Sequence, residues 1–278
     1  MCGRYAASAH PDELVEAYEV EVDATGERSR SVLQSPQSPP AGEPDYNVAP
    51  SKQAHVVLTR ALRDGAGGPP LRQLRLLTWG LVPSWAKDPS VGARMTNARE
   101  ETVLDKPAFT RAALSRRCLV PVDGWYEWQA SPVAVDGRGR ARKQPFFVSR
   151  ADGAPLALAG LYEFWKDPAG PPDDPSSWVV SYTILTTAAE DGLDRIHDRQ
   201  PVAVEPSAWA DWLDPGLTAP DDVRSLLAGA RVPGRFQAWP VTPAVGSTRN
   251  NGPGLVEPLP VAQLVGVVDP GTGEVVGG

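Results

Sequence analysis

Apolar residues recur along this chain in short alternating or continuous runs more often than at helical spacing. Runs at 54–60 (AHVVLTR), 71–79 (LRQLRLLTW), 118–122, 125–129, 145–149, 156–164, 177–186 and 236–241 predict strands. β-Branched and aromatic side chains fill them, and Gly, Pro or polar turns bound them. Helical spacing is confined to four segments. Residues 11–20 place Leu14, Ala17 and Tyr18 on one face, 107–115 opens on a proline, and 206–213 and 221–228 follow later. Between them lie a Ser/Pro-rich stretch at 28–44, expected to be mobile, a Pro-punctuated loop at 80–95, polar loops at 131–143 and 167–176, and a tail from about 266 to 278. Strands do not alternate regularly with helices, which disfavours a doubly wound fold. The prediction is an α+β single domain over residues 1–278, around a mixed or antiparallel, barrel-like sheet with peripheral helices.

Composition narrows the function classes. At 278 residues and 41 % hydrophobic, the chain can bury a sizeable core and is too apolar to be disordered. No apolar run approaches the roughly 18 residues that would predict a membrane span. The first ten residues, MCGRYAASAH, lack the apolar stretch of a secretory signal. Two cysteines, Cys2 and Cys118, provide no disulfide framework, so a reducing, cytoplasmic setting is expected. His10, His55 and His197 lie far apart and no C-x-x-C or H-E-x-x-H occurs, which argues against a metal centre. The glycine clusters at 64–68 (DGAGG) and 137–139 (GRG) lack the strand–loop–helix setting of a phosphate loop and read as turns. Net charge is −7, which disfavours a protein that coats duplexes nonspecifically, yet the charge is segregated. Residues 12–27 carry seven acids and no base, whereas 94–117 carry six bases and three acids, as a focused anion site requires.

Five residues invite a chemical reading beside a structural one. A residue next to the initiator Met is usually frayed. Cys2, however, is small enough to permit removal of Met1, and would then carry an α-amine and a thiol on adjacent carbons. That pair condenses with an aldehyde to an imine and closes to a five-membered thiazolidine. Glu127, in GWYEW, would face solvent as an ordinary strand Glu; burial among its aromatic neighbours would instead raise its pKa into the general acid–base range. His197, in IHDRQP, reads either as a surface turn residue or as a proton carrier. Asn97, in TNAR, is by default a helix cap. Cys118 reads as core. Tryptophans interleaved with arginines near these positions, among them Trp79, Trp85, Trp125 and Trp128, match what a single-stranded nucleic-acid groove needs.

In order, MCGRY, YNVAPS, WGLVPSWAKD, TNAREET, RRCLVPVDGWYEW, AGLYEFW, TILTTAA and IHDRQPV span most of the first 200 residues. A further match, NNGPGLVEP, begins at Asn250. This spaced set resembles the SRAP family (SOS-response-associated peptidase, abasic-site-shielding proteins). The resemblance implies covalent capture of abasic sites in single-stranded DNA by Cys2, working as a monomer without cofactor, metal or membrane. It further implies that Asn97 positions the cysteine and the sugar, and that Glu127 and His197 manage proton transfer in ring opening, imine formation and reversal. Arg4, Arg99 and Arg199 match arginines near the phosphates, Trp79 and Trp128 match aromatics that pack against bases, and Thr186 matches a polar residue beside the site. Gln200 stands where the family usually has Met. Two other readings use the same residues: a cysteine peptidase built on Cys2, His197 and Glu127, or a noncovalent module that uses the Arg and Trp residues alone.

Overall fold

The computed structural model describes residues 2–27, 29–62, 68–171 and 174–277. Its first part comprises β1 (Arg4–Ala7), α1 (Pro11–Ala17), β2 (Val22–Asp23), β3 (Asp45–Val48), β4 (Gln53–Arg60) and β5 (Leu71–Trp79). Then come β6 (Asn97–Arg99), α2 (Thr110–Ser115), β7 (Arg117–Val122), β8 (Gly124–Val135), β9 (Ala141–Arg150), β10 (Leu156–Lys166) and β11 (Trp178–Ala188). The chain ends with β12 (Arg199–Pro201), α3 (Trp209–Leu213), α4 (Pro220–Gly229), β13 (Phe236–Pro240), β14 (Val267–Val268) and β15 (Val275–Val276).

Strands β11, β10, β7, β4 and β5 pair in that order, and β5 pairs back onto β11, so five strands close into a barrel. All of these pairings are antiparallel except β5 with β11, which makes the barrel mixed. The period of two along each strand sorts the side chains. On β10, Leu156, Leu158 and Tyr162 join Val56, Leu58, Val120, Tyr182 and Ile184 in one core. Gly160 completes that row, because a Cβ there would sit 2.8 Å from the Cys118 sulfur. The alternate residues Ala157, Ala159 and Leu161 face outward with Val57, Leu119 and Leu185, and helices cover them. Helix α1 starts on a capping box: His10 Nδ1 accepts from Asp12 N–H, and the Glu13 carboxylate accepts from His10 N–H. It buries Leu14 and, just past its end, stacks the Tyr18 ring on Trp209.

A second sheet, β13–β9–β8–β1–β3, lays Tyr5, Trp125, Phe146 and Val148 against the same core. The α+β, barrel-like prediction therefore holds. The four predicted helices appear, although 107–115 is helical only from Thr110 and 206–213 begins as a 3₁₀ turn. The polar hairpin loop expected at 131–143 is a hairpin with a shorter loop: β8 runs on to Val135 and β9 begins at Ala141, leaving only a short turn. The tail expected from 266 folds into the β14–β15 hairpin. Residues 29–44, expected to be mobile, are tied down by Arg30 N–H to Trp178 O (2.9 Å) and by paired bonds between Gln37 and Gln53. The DGAGG turn falls largely outside the described residues.

Candidate active site

Cys2 enters the structure just ahead of β1, and β1 lies antiparallel to β8 with Arg4 opposite Tyr126 and Tyr5 opposite Trp125. Extended backward, that register carries Cys2 alongside Glu127 and Trp128. Cys2 is 0 % exposed, and its thiol lies 3.8 Å from the Arg4 carbonyl oxygen. Burial pushes this thiol well above its ordinary pKa, and the Glu127 charge pushes it further.

Asn97 does not cap a helix. It opens the three-residue strand β6, which pairs parallel to β11 with Ile184 opposite Asn97 and Thr186 opposite Arg99. The chain reaches this position because two glycine backbones touch. A Cβ on Gly80 (φ +117°) would lie 2.5 Å from Gly92 O, and one on Gly92 would lie 2.5 Å from Gly80 O. From there the Asn97 side chain donates through Nδ2 to the Cys2 carbonyl at 2.8 Å. Its Oδ1 is buried and accepts no hydrogen bond among the described residues.

Glu127 is 4 % exposed, so the expectation of a solvent-facing strand residue fails and that of burial holds. Burial pushes its carboxyl up to about 7. His197 is half-buried behind a 3₁₀ turn, Leu193–Arg195, and burial pulls its pKa below the usual histidine value. Its Nδ1 accepts the Arg199 backbone N–H at 3.0 Å, which puts the neutral ring's proton on Nε2. Asp198 Oδ1 stands 2.8 Å from the same nitrogen, ready to accept should the ring become charged. The charge of Asp198, beside His197, also acts on Glu127 and raises its pKa slightly further.

Of the expected DNA contacts, Arg99 is exposed, and its guanidinium makes no hydrogen bond or ion pair among the described residues. Trp128 is half-buried beside the Tyr126–Phe147 cluster. Three others are engaged with the protein itself. Trp79 is 0 % exposed, its ring 5.0 Å from Tyr5 and its Nε1–H donating to Thr96 O at 2.9 Å, so it presents no face to a base. Arg4 spends its guanidinium on Asn47 Oδ1 and Val245 O, both at 2.8 Å. Arg199 grips Glu101 with two bonds, at 2.6 and 2.9 Å, and donates to the Thr186 carbonyl at 2.6 Å. Thr186 itself is buried. Trp85, by contrast, is 64 % exposed, a difference from Trp79 that sequence alone does not show.

Two motif segments prove structural. Asn47 of YNVAPS donates to Val245 O, Ser247 O and Asn250 O, and Asn251 Oδ1 accepts from Tyr46 N–H. Gln200 fills its place behind His197 by accepting the Glu190 N–H at 2.8 Å. Among the described residues no group of three or more His, Cys, Asp or Glu side chains could hold a metal ion, and no helix is long and apolar enough to cross a membrane.

A family model described as SOS response associated peptidase (SRAP) matches residues 1–248. The chain is 35 % identical over 259 residues to Abasic site processing protein YoqW of Bacillus subtilis, covering 92 % of this chain and 99 % of that protein. It is 29 % identical to Abasic site processing protein YedK of Escherichia coli, covering 93 % and 100 %. Against Abasic site processing protein HMCES of Xenopus tropicalis the identity is 28 %, with 96 % and 81 % covered. A solved protein from Bacteroides thetaiotaomicron superposes with a TM-score of 0.66 at 22 % identity, over 93 % of this chain and all of that one, a likeness of fold. With the family match running through both sheets and every candidate residue, the chain belongs to the SRAP family.

Proposed function

We propose that this protein processes abasic sites in single-stranded DNA, and that Cys2, once Met1 is removed, captures the ring-opened sugar as a thiazolidine. The α-amine adds to the aldehyde carbon and water leaves, giving an imine. The thiol then adds to the imine carbon and its proton passes to the nitrogen, so the net loss is one water. Ring closure is intramolecular, which favours it over attack by a separate thiol.

The observation that carries this reading is the Asn97 Nδ2 bond to the Cys2 carbonyl beside a carboxyl held near neutrality. That bond fixes the backbone of the residue that must present both nucleophiles. The vacant acceptor on Asn97 Oδ1 suits an N–H donor, which the freed amine supplies. A carboxyl with a pKa of about 7 can take a proton from the amine or thiol and return it to the sugar oxygen. The names of the relatives point to the same substrate class. The buried thiol speaks against the peptidase reading, because a cysteine protease works through a thiolate stabilised by its surroundings, and here burial and the Glu127 charge both oppose one.

Intact mass of the protein after incubation with an oligonucleotide bearing one abasic site tests the proposal. The expected adduct mass is protein without Met1, plus DNA, minus one water, and it survives denaturation. Cys2→Ala should give no such adduct while still binding DNA. An adduct that persists in Cys2→Ala refutes the thiazolidine.

A further inference from the structure

The β14–β15 hairpin lies beyond the residues matched by the family model, yet it docks beside the proposed site. Gln129 lies two residues past Glu127 on β8 and so on the same face of the strand. It is 2 % exposed, and both its amide donors and its amide oxygen are engaged. Nε2 donates to Arg195 O at 3.0 Å and to Val268 O at 2.9 Å, while Oε1 accepts from Val268 N–H at 2.8 Å. Arg195 closes the circuit by donating from its guanidinium to Pro270 O. His197 hangs from this same turn, since Ile196 and His197 both donate their N–H groups to Leu193 O, at 2.9 and 3.0 Å.

We propose that the C-terminal hairpin is a positioning element: through Gln129 and Arg195 it fixes the turn that carries His197 against the strand that carries Glu127. A two-stranded hairpin is marginal alone, so its order and that of the turn depend on the same few bonds. A buried amide held by three hydrogen bonds is tightly oriented, and losing it leaves buried carbonyls unpaired. Misplacing a proton carrier by about 1 Å can cost up to a hundredfold in rate. The hairpin touches neither Cys2 nor Asn97 through any of these bonds, so capture should be spared. Assigning His197 to the release step rests on the abasic-site reading above; the geometry of the turn does not.

Two variants test this: Gln129→Met, which keeps the bulk and removes the amide, and a chain ending at Val265. Hydrogen exchange, measured without DNA, should show the Ile196 and His197 amides exchanging at least about tenfold faster while β10 and β11 stay protected. With abasic DNA, release from a preformed adduct should slow about tenfold or more, and capture by less than about threefold. Unchanged exchange at Ile196 and His197 in folded Gln129→Met overturns the proposal, as does an equal loss in capture and release. If the shortened chain does not fold, Gln129→Met decides alone. If the wild-type protein forms no adduct, the abasic-site reading fails while hydrogen exchange still decides the positioning role.

Discussion

Removing the charge on Glu127 should stabilise the protein at high pH while slowing its chemistry. Burial pushes this carboxyl up to about 7, from an ordinary value near 4.5. The folded state therefore holds a proton between those two values that the unfolded chain has lost, and stability falls as pH rises through that window. With these two pKa values, linkage puts the penalty at about 1 kcal/mol at pH 5 and about 3 kcal/mol at pH 8. Glu127→Gln keeps the shape and has no proton to lose, so its advantage over wild type should grow by about 2 kcal/mol between pH 5 and pH 8. For a domain of this size that is a difference of about 4–8 °C in the melting temperature. Thermal unfolding of both proteins across the pH range reads the difference directly, since other titrations cancel between them. Capture of abasic DNA at pH 7.5 should meanwhile slow by about 10²–10⁴-fold, the usual worth of general acid–base assistance. A stability difference that does not change with pH would mean that Glu127 ionises as an ordinary surface carboxyl, and the proton-transfer role built on its burial would go with it.

Other perturbations separate the remaining roles. His197→Ala should slow exchange of a preformed adduct onto excess labelled abasic DNA by about 10²-fold or more, because reopening the ring needs a proton delivered to the departing atom; exchange at the wild-type rate removes His197 from that step. Arg99→Glu should weaken single-strand binding and lower the magnitude of the log–log salt slope by about 0.7 if Arg99 neutralises one phosphate; an unchanged slope excludes the contact. Glu101→Gln releases one partner of the Arg199 fork, so single-strand affinity should rise and the salt slope steepen by about 0.7, read by titration at several salt concentrations. No change would leave Arg199 a purely internal tie.

The long strands were legible because runs of apolar or β-branched side chains bounded by turn residues, as at 54–60 and 156–164, mark strands buried on both faces. The strands that build the site were not. β1, β6 and β12 are three or four residues long, too short to show a period, and β6 and β12 take their order from pairing with β11. Asn97 therefore looked like a helix cap. The 131–143 segment misled for a different reason: Gly and Arg residues sit at a hairpin that projects beyond the core, where polarity says nothing about strand pairing. The candidate residues around Cys2 were visible as residue types in a spaced pattern, whereas the split between buried and exposed aromatics was not. Trp79 closes β5 and Trp85 lies six positions on, in the Pro-punctuated loop, and only the third dimension puts one in the core and the other in solvent. The internal partners of Arg4 and Arg199, Asn47 and Glu101, were hidden in the same way, because an arginine's partner cannot be read from its neighbours in sequence.

The position of Asn97 follows from how the barrel closes. β11 offers one edge to two parallel partners in turn: β5 pairs with it at Ser181 and Tyr182, and β6 takes over from Ile184 to Thr186. The change of partner occurs at Thr183, and the chain between β5 and β6 must leave the sheet and come back to the same edge. The Gly80–Gly92 contact makes that excursion tight, and Ile184 N–H donates to Thr96 O at 3.1 Å where the chain rejoins. Asn97 is thus the first residue to re-enter the sheet, and its side chain turns to the one neighbour that arrives from the other sheet, the Cys2 carbonyl. A side chain larger than hydrogen at Gly92 should therefore damage the site without touching it. Gly92→Ala would place its Cβ 2.5 Å from Gly80 O, a distance that forces the two backbones apart and with them the entry of β6. The expected result is a folded protein whose capture rate falls as far as that of Asn97→Leu, with no further loss when the two changes are combined. Additive losses in the double variant would show that Gly92 acts through something other than Asn97.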